Sequence, residues 1–182
     1  MASKLKGKEW YPIVAPKFFG DLVLGETISM DPEKIKGRVI EIGLMDFMDR
    51  TNKYYFKFSF KIVDVKNKKA ETKYVGHTCT RDYLARIVRL RTTRIDTNDI
   101  IQLADNKFRV KTISVSNRRI SNPIATDIRR AATEHIKNEL TSMKTEDFVK
   151  AMIEGKMQAR IRKKISKVYP LRHFEIRKTE LL

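Results

Sequence analysis

Residues 54–65 read Tyr-Tyr-Phe-Lys-Phe-Ser-Phe-Lys-Ile-Val-Asp-Val. Tyr54, Phe56, Phe58, Phe60 and Ile62 alternate with Tyr55, Lys57, Ser59 and Lys61, the period of two that marks a half-buried antiparallel strand. Asn67, Lys68 and Lys69 make a polar turn, and Thr72–Thr78 is the expected return strand of a hairpin. Upstream, residues 38–45 read as another strand, with Ile40, Ile42 and Leu44 on one face and Glu41 on the other. Downstream, Asp99–Ala104 and Lys107–Ser116 form a second hairpin across Asp105-Asn106. The second strand of that hairpin changes phase. Phe108 and Val110 are even-numbered while Ile113 and Val115 are odd, which predicts a bulge such as a barrel corner needs.

Helices fill the remaining chain. Thr80 is a candidate cap for a helix whose buried stripe is Leu84, Ile87 and Val88, with Arg86 and Arg89 sharing another face. Asn122 as cap and Pro123 in the first turn are expected to open a longer helix in which Ile128, Ala132, Ile136 and Leu140 recur every four residues. Thr145 is the expected cap of a short helix with Glu146 and Asp147 in its first turn and Phe148, Val149, Met152 and Ile153 as its apolar face; Gly155 ends it. A last helix runs from about Lys156 to Val168 and stops before Pro170, with Met157, Ile161 and Ile165 as one stripe and Lys156, Arg160, Lys164 and Lys167 as another. Phe174 and Ile176 suggest a closing strand. Residues 1–19 look extended, because Pro12 and Pro16 keep the backbone from helix. Trp10, Tyr11, Phe18 and Phe19 in this arm either pack back on the domain, the favoured reading, or offer rings for base stacking.

Strands, one helix, strands, then helices, without regular β-α-β alternation, argue for an α+β fold with a mostly antiparallel sheet. Strands of this length with a bulge can close into a small β-barrel flanked by helices, behind an extended N-terminal arm. The expected organisation is a single domain over 1–182: an arm at 1–19, a mainly barrel region with one helix at 20–120, and a mainly helical region with a closing strand at 121–182.

The charge is the strongest functional signal. The chain has 39 Lys and Arg against 22 Asp and Glu, a formal +17 over 182 residues. So strong a self-repulsion points to a polyanionic partner, most often nucleic acid. Tyr83–Ile95, Asn106–Thr126 and Gly155–Phe174 carry four, five and seven basic residues and no acid. All three stretches also carry periodic apolar residues, so the excess belongs to folded elements rather than to a low-complexity tail. The candidate RNA contacts are Lys4, Lys6, Lys8, Lys68, Lys69, Arg86, Arg89, Arg91, Arg94, Arg118, Arg119, Arg129, Arg130, Lys156, Arg160, Lys163, Lys164 and Lys167. Any single one is by default a solvated surface cation. As a set they are harder to dismiss, since solubility is better served by mixed signs.

Other functions find little support. His77, His135 and His173 lack metal-ligand spacing, so no metal is expected. His77 and Cys79 share a strand face, and a nucleophile–base pair acting on RNA is the enzyme alternative; a small apolar thiol beside a surface imidazole is the blander reading. Neither a phosphate-binding loop nor a dinucleotide fingerprint occurs, so no cofactor and no small-molecule substrate are expected. One cysteine excludes an internal disulfide and fits a reducing compartment. No apolar stretch approaches a membrane span, and a signal peptide is not expected, so the chain reads as cytoplasmic. The last helix is amphipathic and basic, as membrane-surface helices are, but its narrow stripe lacks aromatic anchors. Zinc-finger spacing, zipper heptads and the aromatic submotif of an RNA-recognition sheet are missing too. Basic faces on several elements suit a protein set among several RNA helices and reading them by shape.

The ordered motifs carry a resemblance. Trp10-Tyr11 followed by Ala15-Pro16 and a Phe, Gly37-Arg38-Val39-Ile40-Glu41-Ile42-Gly43-Leu44, Thr80-Arg81-Asp82 and Val168-Tyr169-Pro170-Leu171 resemble, in order, segments of the small-subunit ribosomal S-three-A-e family of archaea and eukaryotes. Gly43 stands where that family's strand has Ser, and Cys79 where its helix is preceded by Leu. The resemblance implies a β-barrel flanked by helices and a non-enzymatic role on the small-subunit platform. That role lies near the messenger exit and the 3′ end of the small-subunit RNA, with neighbouring ribosomal proteins and messenger RNA among its partners. The long basic N-terminal extension and C-terminal tail of eukaryotic members are lacking, so the chain looks archaeal-like. A free RNA-binding protein acting outside the ribosome is the alternative.

Overall fold

The computed structural model describes residues 7–46 and 53–182. They form eight strands and four α-helices in two compact units, Met1–Gly76 and His77–Leu182.

The first unit is built of strands β1 (Glu9–Val14), β2 (Val23–Ser29), β3 (Val39–Gly43), β4 (Phe56–Lys66) and the first part of β5 (Lys69–Cys79). β4 carries the alternation foretold for Tyr54–Val65 from Phe56 onward, with Phe56, Phe58, Phe60 and Ile62 all buried; Tyr54 lies before the strand and is exposed, and Tyr55 is buried, the reverse of the expected faces. It turns into β5 through Asn67 and Lys68, both at positive φ (50° and 62°), the two-residue geometry that matches strand twist. Phe19 meets Phe60 at 5.5 Å and Phe58 at 5.9 Å, both edge-on, and Tyr74 closes the cluster 5.9 Å from Phe58. Tyr11, Ile13, Ile35, Ile62 and Ala70 make a second cluster.

Part of the extended arm is therefore a strand. β1 pairs antiparallel with β2 from Glu9↔Ser29 and parallel with β5 at Ile13↔Ala70. Tyr11 and Phe19 do pack inward, whereas Trp10 stays 52% exposed. The strands run β2-β1-β5-β4-β3, and no ladder joins β2 to β3 among the described residues. The side chain of Arg38 lies between them instead, its Nη1 donating to Thr27 Oγ1 (2.8 Å) and to the Ile28 carbonyl (3.1 Å). The sheet is open, so the expected barrel is not formed.

In the second unit, His77–Cys79 ends β5 and leads into α1 (Arg81–Ile87), followed by β6 (Arg94–Gln102), β7 (Lys107–Ser116), α2 (Asn122–Leu140), α3 (Thr145–Glu154), α4 (Lys156–Ile165) and β8 (Leu171–Leu181). β6, β7 and β8 are antiparallel in that order. The strand expected to close a barrel, β8, runs antiparallel along β7 instead. The phase change in β7 is real: the register to β8 shifts between Lys111 and Thr112. Beyond the shift, Thr112 through Ser116 are all buried, so the strand is covered on both faces rather than bent at a corner. α1 covers Ile113 and Val115 with Tyr83, Leu84, Ile87 and Val88. The α2 stripe Ile128, Ala132, Ile136 and Leu140 and the α4 stripe Met157, Ile161 and Ile165 are buried as expected. Ser121, not Asn122, stands at the cap of α2, and Lys144, not Thr145, at the cap of α3. Gly155, at φ 78°, both ends α3 and precedes α4, a left-handed position that costs glycine little.

Candidate nucleic-acid interface

α1 ends at Ile87 because Val88 turns extended (ψ 112°). The residues after it are held in a turn by threonine side chains, which compete with helical bonding. Thr92 Oγ1 donates to the Arg89 carbonyl (2.6 Å), and the Thr92 amide donates to the same oxygen (3.3 Å). Arg89 therefore leaves the helix face that the sequence assigned it beside Arg86 and lies in the turn, with Leu90 and Arg91.

Two more loops meet this turn. The Thr93 amide donates to Ser116 Oγ (2.9 Å), the Ser116 amide donates to the Thr93 carbonyl (3.0 Å), and the Ile120 amide donates to Thr93 Oγ1 (3.2 Å). These bonds bring the Arg118-Arg119 loop against the Arg89–Arg91 turn. The Asn117 amide donates to the Pro170 carbonyl (3.3 Å), which brings in the loop after α4 that carries Lys167. Arg162 of α4 reaches the Arg172 carbonyl with Nη1 (3.2 Å). Half-buried His173 lies among these cations. Burial, and then the charges of Arg172, Arg162 and Arg89, push its imidazole below the ordinary histidine value. One end of the second unit is thus a field of positive charge built on three cross-linked loops.

The sixteen candidates between Lys8 and Lys167 in the described residues are all exposed, and they divide by partner. Several are already neutralised. Arg94 grips Asp96 through Nη2 (2.7 Å) and Nε, Lys68 meets Glu9 (3.0 Å), Lys156 meets Glu154 (2.9 Å), and Arg160 and Lys164 share Glu139 (3.2 and 3.0 Å). The basic stripe of α4 is thus largely balanced internally, and Lys167 lies beyond the helix. Among the described residues, no ion pair neutralises Arg89, Arg91, Arg118, Arg119, Lys163 or Lys167, and Arg129 and Arg130 stand exposed on α2 beside a shallow depression with Glu134 and Lys137. Arg86 interacts within the fold. Lys8 and Lys69 are exposed in the first unit, where a groove mixes Lys17, Lys66 and Lys69 with Asp21 and Glu71. Lys4 and Lys6 lie outside the described residues. Sequence reasoning passed over Arg162 and Arg172. Both sit in the acid-free stretch 155–174, where the candidates are the helical stripe Lys156, Arg160, Lys164 and Lys167 together with Lys163.

The His77–Cys79 pair proves structural in geometry. Both side chains are buried, so the imidazole is not at the surface. His77 Nε2 donates to the Ile176 carbonyl, which can only accept, at 2.9 Å, and Nδ1 is hydrogen-bonded with Thr179 Oγ1 at 2.8 Å. Cys79 Sγ donates to the same Ile176 carbonyl at 3.5 Å. Among the described residues no cluster of His, Cys, Asp or Glu could hold a metal, and no helix is long and apolar enough to cross a membrane.

The model of the Ribosomal S3Ae family matches residues 1–182. The chain belongs to that family. It is similar to the small ribosomal subunit protein eS1 of Methanothrix thermoacetophila, 36% identical over 182 residues covering 100% of this chain and 86% of the relative. Its similarity to eS1 of Methanopyrus kandleri is 35% over 184 residues, covering 98% and 87%, and to eS1 of Staphylothermus marinus 32% over 180 residues, covering 98% and 85%. This S3Ae member therefore matches archaeal relatives along nearly its whole length.

Proposed function

We propose that this S3Ae-family protein is a structural constituent of the small ribosomal subunit that binds ribosomal RNA and has no catalytic role. The observation that carries the reading is the arginine-rich end of the second unit, where Arg89, Arg91, Arg118 and Arg119 sit on two of three tied loops without ion pairs among the described residues. Arginine forks suit phosphate oxygens, and loops fixed by hydrogen bonds present them at little ordering cost. Family membership names the RNA: the relatives are small-subunit ribosomal proteins. The resemblance further supports a cytoplasmic position on the platform, near the messenger exit and the 3′ end of the small-subunit RNA, beside neighbouring ribosomal proteins and passing messenger RNA.

Sedimentation of an extract tests the role. The protein is expected to remain on small subunits washed at high salt; its absence from them overturns the reading in favour of a free RNA-binding protein. A cross-linking map of the particle tests the position, and cross-links confined to RNA remote from the 3′ end overturn the platform assignment.

A further inference from the structure

The turn after α1 holds a leucine where folding has no use for one. Leu90 is 95% exposed, the most exposed of the large apolar side chains described. A lone exposed leucine is ordinary. Three features set this one apart. The turn is fixed: Arg89 and Thr92 bond to each other in both directions, and Thr93 is bonded to the Ser116 and Ile120 loop. Arg91, next to Leu90, is held at φ 62°, a left-handed conformation that glycine or asparagine adopts more cheaply, so the position carries an arginine at a conformational cost. Finally, the apolar tip lies between two arginines without ion pairs.

We infer that the Val88–Thr93 turn is an RNA-docking tip, in which Leu90 packs on the face of an unstacked base while Arg89 and Arg91 hold the flanking phosphates. This rests on the RNA-binding reading above and goes beyond it by naming what the tip recognises. A nucleotide at a bulge or junction offers this chemistry: an apolar face between two anions. Apolar side chains wedge against bases elsewhere in nucleic-acid recognition, and unpaired RNA is where bases are available. A peptide with two acids around an apolar residue would satisfy the turn alone. The cations continue onto two adjoining loops through Arg118, Arg119 and Lys167, and a polyphosphate chain matches that extent better than a short acidic peptide.

The test is equilibrium binding of the full chain to protein-free small-subunit RNA across a salt series, with Leu90→Ala and Arg91→Gln compared to wild type. Leu90 contributes nothing to the core, so thermal melts of Leu90→Ala should match wild type. Leu90→Ala is expected to weaken binding roughly tenfold, the scale of burying a leucine side chain, with no change in the salt slope. Arg91→Gln is expected to reduce the slope by about one. Chemical probing should show one unpaired nucleotide protected by wild type and exposed again with Leu90→Ala. Wild-type binding with an unaltered affinity for Leu90→Ala overturns the tip alone. A defect of Leu90→Ala that emerges only when other small-subunit proteins are present also overturns it, because the tip then docks on protein. Wild-type protein that fails to bind the RNA overturns the RNA-binding reading together with the tip.

Discussion

Geometry, rather than net charge, should decide which cations bind RNA, and two double substitutions of equal charge separate the two. Arg118→Gln with Arg119→Gln removes two cations that have no ion pair among the described residues. Arg94→Gln with Lys164→Gln removes two that are already held, Arg94 by Asp96 at 2.7 Å and Lys164 by Glu139 at 3.0 Å. Each pair lowers the net charge by two. Each phosphate neutralised contributes about 0.7–0.9 to the log–log salt slope, so the Arg118/Arg119 variant should lose about 1.4–1.8 of slope. Between 0.1 and 0.4 M salt, a fourfold range, that difference narrows the affinity gap between wild type and variant by roughly seven- to twelvefold. The Arg94/Lys164 variant should change the slope by less than half as much, because its cations reach phosphate only by giving up a carboxylate. Fluorescence anisotropy with labelled small-subunit RNA reads both. Equal slope changes in the two variants would refute the argument, and the protein's charge would then act as a mean field.

The fold makes further predictions. Phe58→Ala empties a fully buried site ringed by Phe19, Phe60 and Tyr74 and should cost about 3–5 kcal/mol in chemical unfolding, with a cost under 1 kcal/mol counting against the aromatic cluster as a core. Gly155→Ala forces an L side chain to φ 78° between two helices and should cost about 1–2 kcal/mol; an unchanged melting temperature would show that the turn rearranges freely. His173 titrates below its ordinary 6.5 in the folded protein. The unfolded chain therefore binds more protons as pH falls through 6.5, and stability should decline from there down to the folded value and then level off. His173→Gln should remove that part of the acid sensitivity, measured by urea unfolding at stepped pH, and an unchanged pH profile would contradict the assignment.

The sequence announced what is locally periodic and hid what depends on pairing. Phe56, Phe58, Phe60 and Ile62 alternate so strongly that β4 is readable by eye, and the four-residue spacing from Ile128 to Leu140 gives α2 directly. Closure of a sheet has no local signature. Alternation says that a strand is half-buried and not which edges meet, and the side chain of Arg38 lies where a barrel would need a β2–β3 ladder. Strand β1 was obscured by Pro12. Its ladder to β5 is limited to Ile13 and Val14, so the proline lies where pairing is on one side only, a place a strand tolerates it. Strand β2 has mostly exposed or half-buried residues and therefore little alternation to read. The candidate site was legible as composition but not as geometry. Acid-free stretches marked the right loops, while helical periodicity carried Arg89 one turn too far and promoted the α4 stripe, whose acidic partner Glu139 is 21 residues from Arg160 in sequence and beside it in space.

That last discrepancy bears on what a charge of +17 means. Glu139 and Asp96 neutralise cations that the sequence counted as available, while the Arg89–Arg91, Arg118–Arg119 and Lys167 loops concentrate cations that no ion pair among the described residues neutralises. Placing like charges on loops tied by backbone hydrogen bonds opposes folding, since the repulsion cannot be relieved by letting the loops drift apart. Burial is the first cause that lowers the imidazole of His173, and the charges of Arg172, Arg162 and Arg89 add to it, so part of its shift reflects that repulsion. A polyanion bound there reverses the sign of the term: it relieves the arginines and lets His173 take up a proton. RNA binding should therefore be linked to proton uptake and to stability together. The acid sensitivity of the free protein should shrink in the complex, and it would persist unchanged if RNA bound elsewhere on the surface.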